Sequence, residues 1–276
     1  MRIARSINNN LLTLLITFSL LSACAYQNHE ASEFASGDAE PATSVVLVHG
    51  ANLRASSFVE VEKLLSNKGL KVTSPQIYTP EEETDLGTVA GRLCRDLEDI
   101  KEKSVLVGHS QGGAIITEAS TQCPDQIRKL IFIAAVIPLP GEGAFDKLSP
   151  EDIKNFERCA ELKDDSYFVP TSPRGCHANF MNNISDKQKA LYFFERDFVK
   201  EHVGIGNSKA NYDPEIFSSI PKSYIVTKDD KIISQATQST YIKIHQITDI
   251  SSLESDHTPF YSQPKALSKT ILSLLN

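Results

Sequence analysis

The sequence predicts an α/β fold: a mostly parallel sheet of about six strands with helices on both faces and a helical cap. Three observations carry this expectation. From Ser44 onward, short apolar runs alternate with amphipathic helical stretches, which is the pattern of strand–helix–strand units. The runs themselves, such as Val45-Val46-Leu47-Val48, are continuously apolar, as strands buried on both faces are. Finally, one interval of about eighty residues, 138–220, breaks the alternation and is too long for a plain loop.

The chain begins with an address. Arg2 and Arg5 precede an apolar run from Leu11 to Leu21, which has the length of a signal-peptide core and is too short to span a bilayer comfortably. It ends in Leu21-Ser22-Ala23-Cys24, which resembles the lipobox of bacterial lipoproteins. The resemblance implies cleavage before Cys24, lipid attachment to that cysteine, and an exported protein held on a membrane surface; an ordinary secretory signal cut at Ser22-Ala23, with Cys24 incidental, is the alternative. Residues 24–43 are small and polar, with Glu30, Glu33, Asp38 and Glu40, and read as a flexible tether. Removing the leader takes away two arginines and leaves 26 basic against 35 acidic side chains, a net charge of −9. Such a surface does not suit nucleic acid as a partner. Residues 44–276 are the size of one large α/β domain.

Within that domain, Val45–Val48 is the first strand. A helix follows with Phe58, Val61, Leu64 and Leu65 on one face, closed by Asn67-Lys68-Gly69. Lys71–Ser74 is a short second strand, and Ala90, Leu93, Cys94, Leu97 and Ile100 line the second helix. Val105–Val107 and Leu130–Ala135 are further buried strands, separated by a helix that runs to about Gln122. Tyr224–Thr227, a helix over 234–246, Ile250–Leu253 and a closing helix through Ala266, Leu267, Thr270, Ile271 and Leu274 complete the alternation. In the interval 138–220 little reads as strand; the clearest piece is a helix from Asp186 to His202. It is read as a cap over the carboxyl ends of the strands, where open α/β sheets bind ligands. Its aromatic residues Phe156, Tyr167, Phe168, Phe180, Tyr192, Phe193 and Phe194 suffice to line an apolar pocket, although aromatics at helical spacing also serve as ordinary packing.

Four cysteines remain after the leader: Cys94, Cys123, Cys159 and Cys176. In an exported chain they permit two disulfides with three connectivities, of which Cys94–Cys123 with Cys159–Cys176 keeps each bridge within one region; buried free thiols are the alternative. No C-x-x-C pair and no histidine spacing suggests a metal site, and no cofactor is expected.

The chemistry centres on Gly108-His109-Ser110-Gln111-Gly112, between a strand and a helix. This fits the G-x-S-x-G nucleophile elbow, in which a strained turn presents the serine and small residues let strand and helix backbones nearly touch. The lysine of a phosphate loop is missing. The first strand runs into His49-Gly50-Ala51-Asn52, where an N–H turned toward the serine would form an oxyanion hole with that of Gln111. Asp229 and Asp230 follow a late strand, and His257 follows the last one. Serine, acid, histidine is the chain order expected of a triad on this kind of sheet.

These segments resemble the α/β-hydrolase superfamily, within it the branch of plant methylesterases, hydroxynitrile lyases and bacterial esterase relatives. The similarity lies in Val46–Ala51, Val107–Gly113, Ala134–Gly143, Tyr224–Ile233 and Ser255–Pro264, and is poor in the cap. It implies Ser110 as nucleophile, His257 as general base, and the N–H groups of Ala51 and Gln111 as oxyanion donors. The family's spacing, with Thr227 and Ile233 in the flanking places, selects Asp230 over Asp229 as the acid. The lyases of this branch carry lysine after the histidine and threonine in place of the glycine; Thr258 and Gly50 stand there instead. The expected activity is therefore hydrolysis of a small-molecule carboxylic ester through an acyl-enzyme. Amide or lactone hydrolysis would use the same site, and a ligand-binding protein on a hydrolase fold is the non-catalytic alternative.

Overall fold

The computed structural model describes residues 44–275; the leader, Cys24 and the tether lie outside them. Strand β1 (Ser44–Val48) is buried along its whole length. After it, a short 3₁₀ turn leads into α1 (Val59–Ser66), whose Val61 and Leu65 face the core. Edge strand β2 (Lys71–Thr73) buries only its central Val72. Helix α2 (Leu86–Glu98) starts at Asp85, whose side chain accepts the Thr88 N–H, and turns Leu86, Val89, Ala90, Leu93 and Leu97 inward at helical spacing. Strand β3 (Ser104–His109) is wholly buried, and α3 (Gly112–Gln122) is buried from Gly112 to Ser120, so it is the most enclosed helix. Strand β4 (Ile127–Ile133) precedes the cap.

The cap is where structure and sequence part. Helix α4 (Pro150–Glu157) opens with a capping box, Ser149 against Asp152. Then β5 (Ala160–Lys163) and β6 (Tyr167–Pro170) form an antiparallel hairpin instead of further helix. Helices α5 (Pro173–Asn179) and α6 (Lys187–Asp197) follow, and β7 (Glu201–His202) adds a third strand to the hairpin. Helix α6 thus stops at Asp197 rather than His202, because Phe198 turns to extended backbone and joins other segments. Beside the helices that the sequence predicts, the cap therefore carries a small three-stranded antiparallel sheet. Its strands are short, and β5 is exposed beyond Ala160, so Glu161, Leu162 and Lys163 show no apolar alternation. Helices α7 (Gly204–Asn207) and α8 (Pro214–Ser219) lead back to the sheet.

Strand β8 (Lys222–Thr227), α9 (Gln235–Ile244), β9 (Asp249–Leu253), α10 (Pro259–Ser262) and α11 (Pro264–Ser273) complete the described chain. The main sheet has the order β2-β1-β3-β4-β8-β9 and every pairing in it is parallel, as the sequence predicts. The register aligns the strands at their carboxyl ends, with Val48 beside Gly108, Gly108 beside Phe132, and Thr227 beside Leu253. The loops leaving β1, β3, β8 and β9 therefore gather along one edge, beneath the cap. Cys94 is bonded to Cys123, tying α2 to the end of α3, and Cys159 to Cys176, tying the start of the hairpin to α5. Among the described residues no helix is long and apolar enough to cross a membrane.

Candidate active site

Ser110 sits between β3 and α3 with φ 54°, in the left-handed region that costs a non-glycine residue energy. Three backbone bonds hold it there. Its N–H donates to Ile133 O (3.0 Å), and its carbonyl accepts from Gly113 N–H (3.0 Å) and Val136 N–H (3.1 Å). The glycines of the motif are required by contact. A Cβ on Gly112 would run into the carbonyl of Val48, so β1 and α3 approach as closely as backbones can. Likewise a Cβ on Gly50 would lie 2.8 Å from the Cβ of Ser110.

The hydroxyl of Ser110 is 3.0 Å from His257 Nε2, and His257 Nδ1 is 2.8 Å from Asp230 Oδ2. Because a carboxylate only accepts, Nδ1 carries the proton and Nε2 presents its lone pair to the serine. Asp230 is itself fixed: Oδ2 also accepts the Thr227 hydroxyl (2.9 Å), and Oδ1 accepts the N–H groups of Ile232 (2.8 Å) and Ile233 (2.9 Å). Asp229 points elsewhere, is exposed, and accepts from the side-chain amide of Asn183. The two adjacent aspartates are thus separated by geometry: only Asp230 reaches the imidazole. The neighbouring Asp256 carboxylate accepts the Asn183 N–H and the Ser262 hydroxyl, joining the histidine loop to the cap; burial raises its pKa.

Two further histidines lie beside the site, both buried and outside the predicted set. His109 Nε2 is 2.7 Å from the carbonyl of His257, which can only accept, so the ring donates from Nε2. His49 Nδ1 faces the carbonyl of Gly50 at 3.1 Å, and its Nε2 faces the Gln76 amide at 3.3 Å. Desolvation drives both toward the neutral form, lowering His49 to about 4 and His109 well below its ordinary value. His177, by contrast, bonds the carbonyl of Ile184 and lines a separate groove of the cap.

Neither the Ala51 N–H nor the Gln111 N–H donates to another group among the described residues. Ala51 and Ser110 line a cavity of about 220 Å³ walled by Phe145, Phe156, Phe168, Phe180, Ile232 and Ile233. Of the aromatics the sequence suggested for a pocket, Phe156, Phe168 and Phe180 take part. Phe193 instead stacks on Tyr261 at 4.2 Å, Phe194 stacks on Phe198, Tyr192 is exposed, and Tyr167 donates its hydroxyl to Glu81 O. Phe145 was legible only as an isolated apolar residue after a strand, with no period to mark it. Larger grooves lie beside α8 and between α5 and α6, but their histidines bond main-chain carbonyls, His245 that of Ile137 and His177 that of Ile184, and Ser218 donates to Glu215 O.

Comparison with known proteins agrees with this architecture. The profile of the Alpha/beta hydrolase family matches residues 45–270. Methylesterase 2 of Arabidopsis thaliana is 28% identical over 264 residues, covering 83% of this chain and 94% of that protein. A pyrethroid hydrolase of Sphingobium wenxiniae is 28% identical over 261 residues, covering 83% and 86%. Among solved structures, a pyrethroid hydrolase superposes with a TM-score of 0.74 at 23% identity, covering 84% of this chain and 97% of that one. Polyneuridine aldehyde esterase superposes with a TM-score of 0.72 at 20% identity, covering 85% and 100%.

Proposed function

The chain belongs to the alpha/beta hydrolase family, and from that premise we propose that it is a serine hydrolase of carboxylic esters. The observation that carries this reading is the continuous Ser110–His257–Asp230 hydrogen-bond chain at the floor of an apolar cavity. Relatives named for methyl-ester and pyrethroid hydrolysis support it. In the proposed reaction, His257 Nε2 removes the Ser110 proton as Oγ attacks the ester carbonyl. The carbonyl oxygen becomes an oxyanion and is received by the N–H groups of Ala51 and Gln111. Asp230 holds the imidazole in the tautomer that can accept a proton and stabilises the imidazolium that results. The imidazolium then protonates the leaving alcohol, and water attacks the acyl-enzyme by the same route.

The cavity also limits the substrate. Its volume lies below the ~300–1,000 Å³ typical of sites for drug-sized ligands, so one small, uncharged arm of the ester fits. No cationic side chain lines it to recognise a second carboxylate. A fluorophosphonate probe should attach covalently to Ser110, and p-nitrophenyl esters of short or aromatic acids should be cleaved with higher kcat/KM than the palmitate. Failure of the probe to label Ser110 would remove the serine reading and leave a ligand-binding protein.

We also propose that the mature chain is anchored through lipid on Cys24, a reading supported by the leader's composition and the residues preceding that cysteine. Intact-mass measurement of the full-length product expressed in a bacterium should give an N-terminus at Cys24 carrying acyl mass. An unmodified cysteine would exclude it.

A further inference from the structure

The residue after the proposed oxyanion donor Ala51 is Asn52, with φ 58°, and the backbone here is held from outside the sheet. Cap groups take up four of its bonds. Its N–H donates to Glu201 Oε2 (2.8 Å), its carbonyl accepts from Val199 N–H (2.9 Å), and its side-chain amide donates to Phe168 O and Val199 O (both 2.9 Å). Leu53 then forms an antiparallel bridge with Phe198, and Arg54 N–H donates to Asp197 O (3.0 Å). The oxyanion loop is therefore laid along cap residues 197–201.

Glu201 is the unexpected member. Its side chain is 1% exposed, its neighbour in sequence is the half-buried His202, and its Oε2 accepts both the Asn52 N–H and the Tyr78 hydroxyl (2.6 Å). Tyr78, also 1% exposed, lies 3.4 Å from the carbonyls of Gly50 and Leu53, the residues flanking Ala51 and Asn52. Burying a carboxylate with no salt-bridge partner among the described residues is costly, and burial raises its pKa. A strand of two residues paired to Phe168 does not demand an acid at this place.

We propose that Glu201 is a positioning residue for the oxyanion hole, fixing the Ala51 N–H through Asn52 so that the cap is needed for turnover as well as for substrate choice. This rests on the serine reading above. An oxyanion donor is worth roughly 10²–10³ in kcat, so loosening one without deleting it should cost roughly 10–100-fold.

The test compares Glu201→Leu, Glu201→Gln and Tyr78→Phe with the unaltered chain, using p-nitrophenyl butyrate and an alkyl trifluoromethyl ketone, whose tetrahedral adduct with serine occupies the oxyanion hole. Active sites are counted by fluorophosphonate titration, so misfolded protein does not enter the rates. Glu201→Leu should lower kcat per site roughly 10–100-fold with KM within about twofold, and weaken the ketone by a similar factor. Glu201→Gln keeps a carbonyl that accepts both donors and should restore most of the rate. Should the leucine variant fail to fold, Tyr78→Phe carries the test with an expected loss of about threefold or more in kcat alone. Unchanged kcat per site in the leucine variant, or in Tyr78→Phe where that variant stands in, would overturn the proposal. So would equal damage from leucine and glutamine. If the unaltered chain itself fails to be labelled at Ser110, it is the serine reading that falls, and the two failures are distinguishable.

Discussion

Ser110→Ala and His257→Ala are each expected to lower kcat/KM for p-nitrophenyl esters by roughly 10³-fold or more, with the thermal midpoint nearly unchanged. The Ser110 hydroxyl makes its one hydrogen bond among the described residues to His257, so its removal orphans little. Asp230→Asn should cost on the order of 10⁴. The two backbone N–H groups on Oδ1 can keep their acceptor, but an amide NH₂ would then stand where Oδ2 now accepts from His257 and Thr227. The imidazole would have to turn its lone pair toward residue 230 and its proton toward Ser110, the wrong tautomer for a base. Asp229→Asn leaves this arrangement untouched and should change the rate by less than about twofold, within ordinary surface-substitution effects. Near-normal turnover by Ser110→Ala, or a larger loss at Asp229 than at Asp230, would contradict the assignment.

Acidification should destabilise the fold through His49. In the unfolded chain its imidazole titrates near 6.5; in the folded protein burial holds it at about 4. Above pH 6.5 neither state binds the proton, and stability is unaffected. Between 6.5 and 4 the unfolded state binds it and the native state does not, so stability falls with pH by up to about 1.4 kcal/mol per unit, reaching about 2 kcal/mol at pH 5. Hydrogen bonding gives the same sign. Protonating Nε2 would set an N–H against the Gln76 amide donor. His109, lowered chiefly by desolvation, adds in the same direction. Glu118, Asp256 and Glu201 are raised by burial and oppose the trend toward the acid end, so pH 5 to 7 is the informative window. Urea unfolding across that window should show the loss, and His49→Gln should flatten it by about 2 kcal/mol at pH 5. Parallel curves for the two proteins would refute this account.

The four inner strands of the main sheet, β1, β3, β4 and β8, were legible because burial on both faces leaves nearly uninterrupted apolar runs, from Val45–Val48 to Tyr224–Thr227, whereas the edge strands β2 and β9 carry only short, partly polar segments. The elbow was legible because backbone contact between β1 and α3 admits only glycine at Gly112. The hairpin β5–β6 was not, since its strands are four residues each and neither alternates buried with exposed positions, which leaves no period to detect. Asp230 and Asp229 have the same chemistry and adjacent places, so the residues alone left both open until spacing within a related family, and then geometry, separated them. Glu201 was the least visible of all. In the sequence it sits in Lys200-Glu201-His202, which resembles solvated surface, and only the return of the cap onto the loop after β1 buries it.

The cap leaves the sheet after β4 and rejoins it at β8, and those two strands are paired directly to each other. The sheet's hydrogen bonding therefore closes without the insertion, which makes residues 138–220 a natural unit of exchange between related proteins. A cap transplanted at those seams would bring a new cavity wall while leaving the strand register alone. Its graft would have to carry compatible partners for Asn52, Leu53 and Arg54 at the positions now held by 197–201. Transplants that respect this handhold would exchange specificity, whereas those cut inside it would yield chains that fold yet turn over slowly.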